Sequence, residues 1–291
     1  NVNRGGSKGN NTIQKDYFLP SLNLKYNLND KNSLRLGASK TYTLPQAKEI
    51  SPYRYVGVNF NSQGNPNLKP SDHYNLDLKW DFNHTPTELI SLTAFYKLIK
   101  NPISRIEVAS AGGYLTYENI ADKATVAGVE VEIRKNLFVR PVSNAAHGMN
   151  KLSLGLNGSY IYTNAKMPLA TVTTGSQLEG AAPWIVNFDL SHNFTKGERS
   201  FVNTLVLNYV SDKIYTIGTQ GYQDMMEQGV LTLDFVSQAK LNKHLSFNLK
   251  ARNLLNPSYK LSRKANENGE KVILNDYKKG INISLGVSCT F

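Results

Sequence analysis

Ile281-Asn282-Ile283-Ser284-Leu285-Gly286-Val287-Ser288-Cys289-Thr290-Phe291 alternates without a slip. The odd positions are apolar, and the even positions are small or polar. Successive side chains of a strand point to opposite faces, so this period of two reads as a half-buried β-strand and not a helix. Working back along the chain, Leu245, Phe247, Leu249 and Ala251 alternate with Ser246, Asn248, Lys250 and Arg252. Tyr74, Leu76, Leu78, Trp80 and Phe82 alternate with Asn75, Asp77, Lys79 and Asp81, and Leu22, Leu24, Tyr26 and Leu28 with Asn23, Lys25 and Asn27. Val129-Val131-Ile133, Leu152-Leu154-Leu156 and Val186-Phe188-Leu190 carry the same code. Eleven strands are expected, at 18–28, 33–43, 72–83, 88–99, 123–136, 150–163, 183–195, 200–211, 229–241, 244–254 and 279–291. The chain reads as all-β.

These segments are long. Strands of soluble domains run about 5–6 residues, whereas a strand crossing a bilayer needs about 9–11 plus interfacial ends. The connections also fall into two classes that take turns. Mostly tight joints at 29–32, 83–87, 195–199 and 241–243, with a longer one over 136–149, alternate with long stretches at 44–71, 100–122, 164–182, 212–228 and 255–278. Outer-membrane barrels alternate in this way, with short periplasmic turns and long extracellular loops. The expected fold is an antiparallel transmembrane β-barrel.

Composition agrees. Of 291 residues 40% are apolar and only 19% charged, with 16 Tyr and 11 Phe, and the mean hydropathy is −0.38. No run of 18 apolar residues occurs, so no helix spans a bilayer. A single cysteine, Cys289, excludes an intrachain disulfide and a Cys-built zinc site. Asn1-Val2-Asn3-Arg4-Gly5-Gly6 lacks the basic start and apolar run of a signal peptide, which leaves a cytoplasmic chain or the loss of the N-terminal part of a longer precursor.

A spanning strand leaves no backbone group unpaired in hydrocarbon, so such strands persist only in a closed barrel. The apolar face then meets lipid and the polar face lines a lumen. Candidate lumen-lining residues are Asp77, Lys79, Glu130, Glu132, Arg134, Lys250 and Arg252, joined by Lys25, Arg35 and Asp189. Charges of both signs would each need a partner in a dry core, so the lumen is wide and wet or holds a polar plug; barrels of about 22 strands are plugged and those of about 16–18 are open. Tyr42, Trp80, Phe82, Tyr96, Tyr160, Tyr162, Phe194 and Tyr209 fall towards strand ends, as interfacial girdles would. With the C-terminus periplasmic, the first strand descends from the exterior, and residues 1–17 are the remnant of an extracellular loop. Eleven is an odd count where bacterial barrels are even. The chain therefore reads as the C-terminal half of a longer barrel (18–291).

Particular residues now match a family. Gly64-Asn65-Pro66-Asn67-Leu68-Lys69-Pro70-Ser71 resembles the G-N-P-x-L-K-P-E/S motif of TonB-dependent outer-membrane receptors. Asn119-Ile120-Ala121 followed by Ala127-Gly128-Val129-Glu130-Val131-Glu132, then Ser91 to Ile103, Pro183-Trp184, Asn253-Leu254-Leu255-Asn256 and the terminal Phe291 resemble further motifs of that family. The resemblance implies a 22-stranded barrel around an N-terminal plug that this chain lacks. It also implies energised uptake of a scarce bulky ligand (a metal chelate, vitamin or oligosaccharide) through a periplasmic energy-coupling partner. By the same resemblance Phe291 belongs to the signal read by the barrel assembly machinery.

Other chemistry finds little support. His73, His84, His147, His192 and His244 lie in no ligand spacing, no G-x-S-x-G occurs, and Gly5-Gly6-Ser7-Lys8-Gly9 lacks the phosphate-loop pattern. No metal site, cofactor or enzymatic activity is expected. The formal charge of +11 admits a polyanion-binding soluble β-protein, but cations and aromatics sit on opposite faces rather than on one nucleic-acid platform. Outer-membrane lipid or an acidic ligand is the expected anionic partner. A passive porin or adhesin barrel is the alternative function. Candidate ligand-binding residues are the loop aromatics and cation Tyr53, Arg54, Tyr55, Phe60, Tyr114, Tyr117, Tyr215 and Tyr222, since aromatic faces stack on flat ligands and Arg donates to acidic ones.

Overall fold

The computed structural model describes residues 16–108, 113–142, 148–167, 177–265 and 269–290. In chain order the strands are β1 (Ser21–Asn27), β2 (Asn32–Thr43), β3 (Arg54–Tyr55), β4 (Ser62–Gln63), β5 (Ser71–Thr85), β6 (Glu88–Lys100), β7 (Ile103–Val108), β8 (Tyr114–Asn119), β9 (Lys123–Pro141) and β10 (Met149–Ala165). Then come β11 (Trp184–Lys196), β12 (Arg199–Val210), β13 (Lys213–Thr216), β14 (Met225–Glu227), β15 (Val230–Lys240), β16 (Leu245–Arg252), β17 (Ser258–Lys264), β18 (Lys271–Lys278) and β19 (Asn282–Cys289). One short helix, α1 (Ala47–Ile50), follows β2.

Eleven strands form a single meander, β1-β2-β5-β6-β9-β10-β11-β12-β15-β16-β19, with every neighbour antiparallel. They are the eleven segments the alternation marks. β9 runs beyond the expected end at 136 because a register shift opposite Leu152/Ser153 breaks its alternation without ending the pairing. The described residues form an open wall, not a closed barrel: β1 and β19 are its edges.

Among the described residues the wall has no second layer over its apolar face. Leu78 is 50% and Leu285 71% exposed, as no residue of a sandwich core would be. Tyr42, Tyr74, Tyr96, Tyr160, Tyr162, Trp184 and Tyr209 gather towards the end with the long connections, and Trp80, Phe82, Phe194 and Phe201 towards the short turns. In β5, Tyr74 and Phe82 are eight positions apart, about 26 Å along a strand at about 3.3 Å per residue. Tilting shortens that towards the hydrocarbon band of a barrel wall, about 25 Å tall.

The opposite face is polar in register. Ser33, Asp81, Ser91, Glu132, Asn157, Asn187, Asn208 and Thr232 face one another across eight successive strands. Asn157 Nδ2 donates to Glu130 Oε1 at 2.7 Å, Asn187 Nδ2 to Asn157 Oδ1 at 3.4 Å, and Asn208 to Asn187. Arg35 and Lys79 bracket Asp81 at 3.3 and 3.5 Å, and Arg134 reaches Glu132 at 2.8 Å. Facing hydrocarbon, the charges of this row and the amide and hydroxyl groups its own bonds leave over would lack water, at a cost of several kcal/mol each.

All five long connections lie at one end, and two pairs of them are folded. This corrects their reading as plain loops. β3-β4-β8-β7 and β13-β14-β17-β18 are separate four-stranded sheets. They join through an Ile106–Ile217 bridge, where Glu107 N–H donates to the Ile217 carbonyl at 3.2 Å and Ile217 N–H to the Arg105 carbonyl at 3.0 Å. The buried apolar clusters sit in this cap or at its junction with the wall: Ile106, Ile120, Ile214 and Ile217, Leu115, Met225 and Leu261, and Ala121, Ala124, Ala165 and Leu178. Its strands are two to eight residues long, too short for a period of two to stand out from chance.

The family-like motifs are the joints between wall and cap. An added Cβ on Gly64 would meet the Ser51 carbonyl oxygen at 2.4 Å and that of Lys48 at 2.6 Å, so only glycine lets this segment lie against α1. Asn65 turns the chain by accepting from Asn67 N–H at 2.9 Å and donates from Nδ2 to the Tyr117 carbonyl at 3.0 Å. Leu68 is buried, and Ser71 donates to the Asn101 carbonyl at 2.7 Å. Asn119 accepts from Lys69 N–H at 2.7 Å and donates at 2.9 Å to both the Lys69 and Asn101 carbonyls. Asn253 and Asn256 take left-handed φ values of 58° and 43°, which asparagine tolerates, and clamp Gly280 from both sides at 2.7 and 3.1 Å. Asn119→Ala removes three bonds and is expected to cost about 2–3 kcal/mol at about 1 kcal/mol per bond. Hydrogen exchange should then quicken at Lys69 and along β7–β8 while the wall amides keep their protection; unchanged exchange at Lys69 would count against the joint.

Candidate functional site

The cap forms an open-mouthed pocket of about 350 Å³ lined by Lys48, Asn59, Phe60, Ser62, Arg105, Leu115, Tyr117, Tyr215, Glu227, Tyr259, Lys260, Leu261, Asn275 and Tyr277. Alternation along β7 buries Ser104 and Ile106 and sends Arg105 to the other side, where Tyr117 of β8 is its register partner. The Arg105 guanidinium forks onto Glu179 Oε1, with Nε at 3.2 Å and Nη2 at 2.7 Å, and its backbone N–H donates to Oε2 of the same carboxylate. It also lies 4.1 Å from the Tyr215 ring centroid, a cation–π contact. Glu179 belongs to the connection between β10 and β11, so this pair ties the remaining long connection to the cap.

The second half of the lining comes from β17 and β18. Tyr259 and Tyr277, register partners, stack with ring centroids 5.5 Å apart. Lys279 caps the Tyr259 ring at 3.8 Å, and Lys260 pairs with Asp276 at 3.8 Å. Behind the lining, Arg263 pairs with Glu107 and stands 5.3 Å over the Tyr222 ring.

Burial governs the titration of this site. It pushes the Glu179 carboxyl above its ordinary range, against the pull of the Arg105 N–H groups and charge. For Arg105 burial opposes the charge, and Glu179 overrides it to hold the guanidinium protonated. Burial also raises the Tyr117 hydroxyl, against the attraction of Arg105, so it stays a neutral donor at physiological pH.

Of the residues the sequence suggests for ligand contact, Phe60, Tyr117 and Tyr215 line the cavity. Arg54 stacks on Tyr114 at 5.6 Å, Tyr55 lies beneath Lys48 at 5.3 Å, Tyr222 contacts Arg263, and Tyr53 is exposed; these five stand outside the lining. Lys48, Arg105, Tyr259, Lys260 and Tyr277 were missed. A tyrosine beside a lysine at 259–260 and 277–279 was the available signal, though only the register brings the two rings together. Phe291 and His147 lie outside the described residues, as do residues 1–15 of the expected loop remnant; Tyr17 beyond them stacks on Tyr42 at 3.9 Å.

A family model described as TonB dependent receptor-like, beta-barrel, matches residues 1–254. The chain belongs to this family. An iron-regulated outer membrane virulence protein of Vibrio cholerae serotype O1 is 25% identical over 240 residues, covering 79% of this chain and 34% of that protein. Among solved structures, a mutant of the ferric enterobactin receptor of Pseudomonas aeruginosa, in complex with enterobactin, superimposes with a TM-score of 0.58 at 18% identity over 94% of this chain and 40% of the other. The siderophore receptor PirA of Acinetobacter baumannii gives 0.59 at 17% over 94% and 41%, and the copper transporter OprC 0.62 at 14% over 93% and 39%. This TonB-dependent chain thus spans about a third of the curated relative's length. It is an outer-membrane β-barrel segment, and the exposed apolar face is its lipid face.

Proposed function

We propose that the chain is the C-terminal part of a plugged, 22-stranded receptor that takes up a scarce metal chelate, with this cap as part of its external binding site. The observation that carries the reading is the aromatic and cationic cavity built from long connections that all rise from one end of the wall. Tyr117, Tyr215, Tyr259 and Tyr277 offer flat faces and hydroxyl donors, and with Arg105 held by Glu179 the lining cations Lys48 and Lys260 still outnumber its one carboxylate, Glu227, which suits a planar acidic chelate better than a neutral vitamin or an oligosaccharide. Ferric enterobactin and siderophore receptors among the fold neighbours support the metal-chelate class. The family supports a periplasmic TonB-type partner that supplies the energy. The polar face, with Asp77, Lys79, Glu130, Glu132, Arg134, Lys250 and Arg252, lines the lumen in this reading. Residues 1–17 are then an extracellular segment, and Phe291 belongs to the signal for the assembly machinery.

The test is binding by the full-length receptor in detergent. Ferric catecholate and hydroxamate chelates, cobalamin and a maltooligosaccharide are titrated while tyrosine fluorescence is followed. One ferric chelate is expected to bind, and Tyr215→Ala to weaken it about tenfold, the loss of a stacked ring and its cation partner at about 1.4 kcal/mol. Saturable binding by cobalamin or the oligosaccharide alone would overturn the ligand class, and an unchanged affinity in Tyr215→Ala would move the site elsewhere.

A further inference from the structure

The lipid face changes character row by row as it rises towards the cap. Register places Ala38, Leu76, Tyr96, Ala127 and Tyr162 side by side. The next row on the same face is Lys40, Tyr74, Leu98, Thr125 and Asn164. The row above that sets Tyr42 beside Asp72, Lys100 and Lys123, and since Ala165 pairs with Ala124, Lys166 continues it just past the end of β10. Lys100 and Lys123 therefore stand on adjacent strands and Lys166 just past the end of the next, their backbones within about 10 Å at about 4.8 Å per strand. All three are exposed.

Like charges directly opposite one another in a sheet destabilise it. Here Lys100 and Lys123 are such a pair. The carboxylates near this row are Asp72, which Lys40 approaches at 4.0 Å, and the exposed Asp122. Lys100 leans over the Tyr74 ring at 5.3 Å, and among the described residues none of the three lysines forms an ion pair with a carboxylate. Beside them a hollow of about 450 Å³ is bounded by Tyr96, Leu98, Asp122, Lys123, Asn164 and Lys166. Tyr96 and Leu98 floor it, and two lysines against the one carboxylate of Asp122 rim it, just beyond the row that holds Tyr96 and Tyr162.

We propose that Lys100, Lys123 and Lys166 form a binding site for the phosphate groups of anionic outer-leaflet lipid. The phosphate neutralises the opposed ammonium groups, and the lipid's apolar part packs on Tyr96 and Leu98 below. The charge and the position select this occupant together: cations at a membrane interface draw anionic headgroups, and a soluble anion would gain nothing from the apolar floor.

Native mass spectrometry of the full-length receptor tests the site. The protein is released from nanodiscs of phosphatidylcholine containing bis-phosphorylated lipid A, and retained lipid A is counted. The wild type is expected to keep it. K100Q/K123Q/K166Q should lower its affinity about a hundredfold, at about fivefold per lysine near an anionic surface. The control K79Q/K250Q/R252Q, with the same charge change on the opposite face, should keep it, and millimolar inorganic phosphate should not displace it. Retention by the lysine triple, equal loss in the control, or displacement by inorganic phosphate would each overturn the proposal. Should the triple not fold, the single variants Lys123→Gln and Lys123→Arg decide: loss in the first with retention in the second supports the site, and equal behaviour of the two refutes it.

Discussion

Arg105→Ala is expected to loosen the cap without disturbing the wall. The substitution strips Glu179 of the guanidinium contacts at 2.7 and 3.2 Å and leaves it only the backbone N–H of residue 105. It also removes the cation from the Tyr215 face. Breaking a fully buried pair costs about 3–5 kcal/mol, and this half-buried one about 2–3 kcal/mol. Trypsin should then cut the connections around β7 and β13 at neutral pH, while the wall keeps the resistance to SDS of a folded barrel. The pH dependence follows from the direction of the Glu179 shift. Its carboxyl already titrates above the ordinary range because of burial, and losing Arg105 raises it further. A carboxyl raised in the folded state favours folding where it is protonated; that contribution is full below the unfolded value and is lost as pH rises through the folded one. The Arg105→Ala cap should therefore regain protease resistance on acidification and lose it again at neutral pH. Arg105→Ala/Glu179→Gln should stay resistant throughout, because no ionised carboxylate remains to be stranded. A cap equally fragile at both pH values, or a double variant as fragile as the single, would rule out this electrostatic account.

The wall was legible because its physics is written locally. Lipid on one side and water on the other force a choice at every residue, and Leu76-Asp77-Leu78-Lys79-Trp80 can satisfy both solvents only as a spanning strand. The cap was not legible for the converse reason. Its apolar clusters join distant segments, as Ile106 and Ile120 of one connection meet Ile214 and Ile217 of another, and no window of sequence contains all four. Glu179 and Arg105, 74 positions apart, meet only because the wall brings their connections to the same end. Phe60, Tyr117 and Tyr215 could be picked out as loop aromatics, but the partners that make them a cavity wall depend on the register of strands two to eight residues long. The short motifs stand between these cases. Asn65, Asn119 and Asn253 were visible as family-like residues, and the structure gives them their work as hydrogen-bonded joints.

Gly128→Ala is expected to produce the largest defect in the wall itself. Gly128 lies in β9 between Phe95 of β6 and Ile161 of β10, and an added Cβ would sit 2.3 Å from the Phe95 ring and 2.4 Å from the Tyr160 carbonyl oxygen. Real Cβ atoms do not come that close. The ring can rotate away, but the oxygen belongs to the neighbouring strand's backbone, so relief requires β9 and β10 to part or to slip. Overpacking of this kind costs about 1–3 kcal/mol and more where backbone must move, and a slip of one residue would turn every side chain of the strand to the wrong solvent. The variant should lose most of its folded, heat-modifiable form on cold SDS gels, with the urea midpoint of the remainder shifted down. The double variant Phe95→Ala/Gly128→Ala separates the two contacts. It opens space at the ring and leaves the Tyr160 oxygen where it was, so folding should remain impaired, whereas Phe95→Ala alone should still fold. Full recovery in the double variant would make the ring the only obstacle, and normal folding of Gly128→Ala would mean that the β9–β10 ladder is not packed as described.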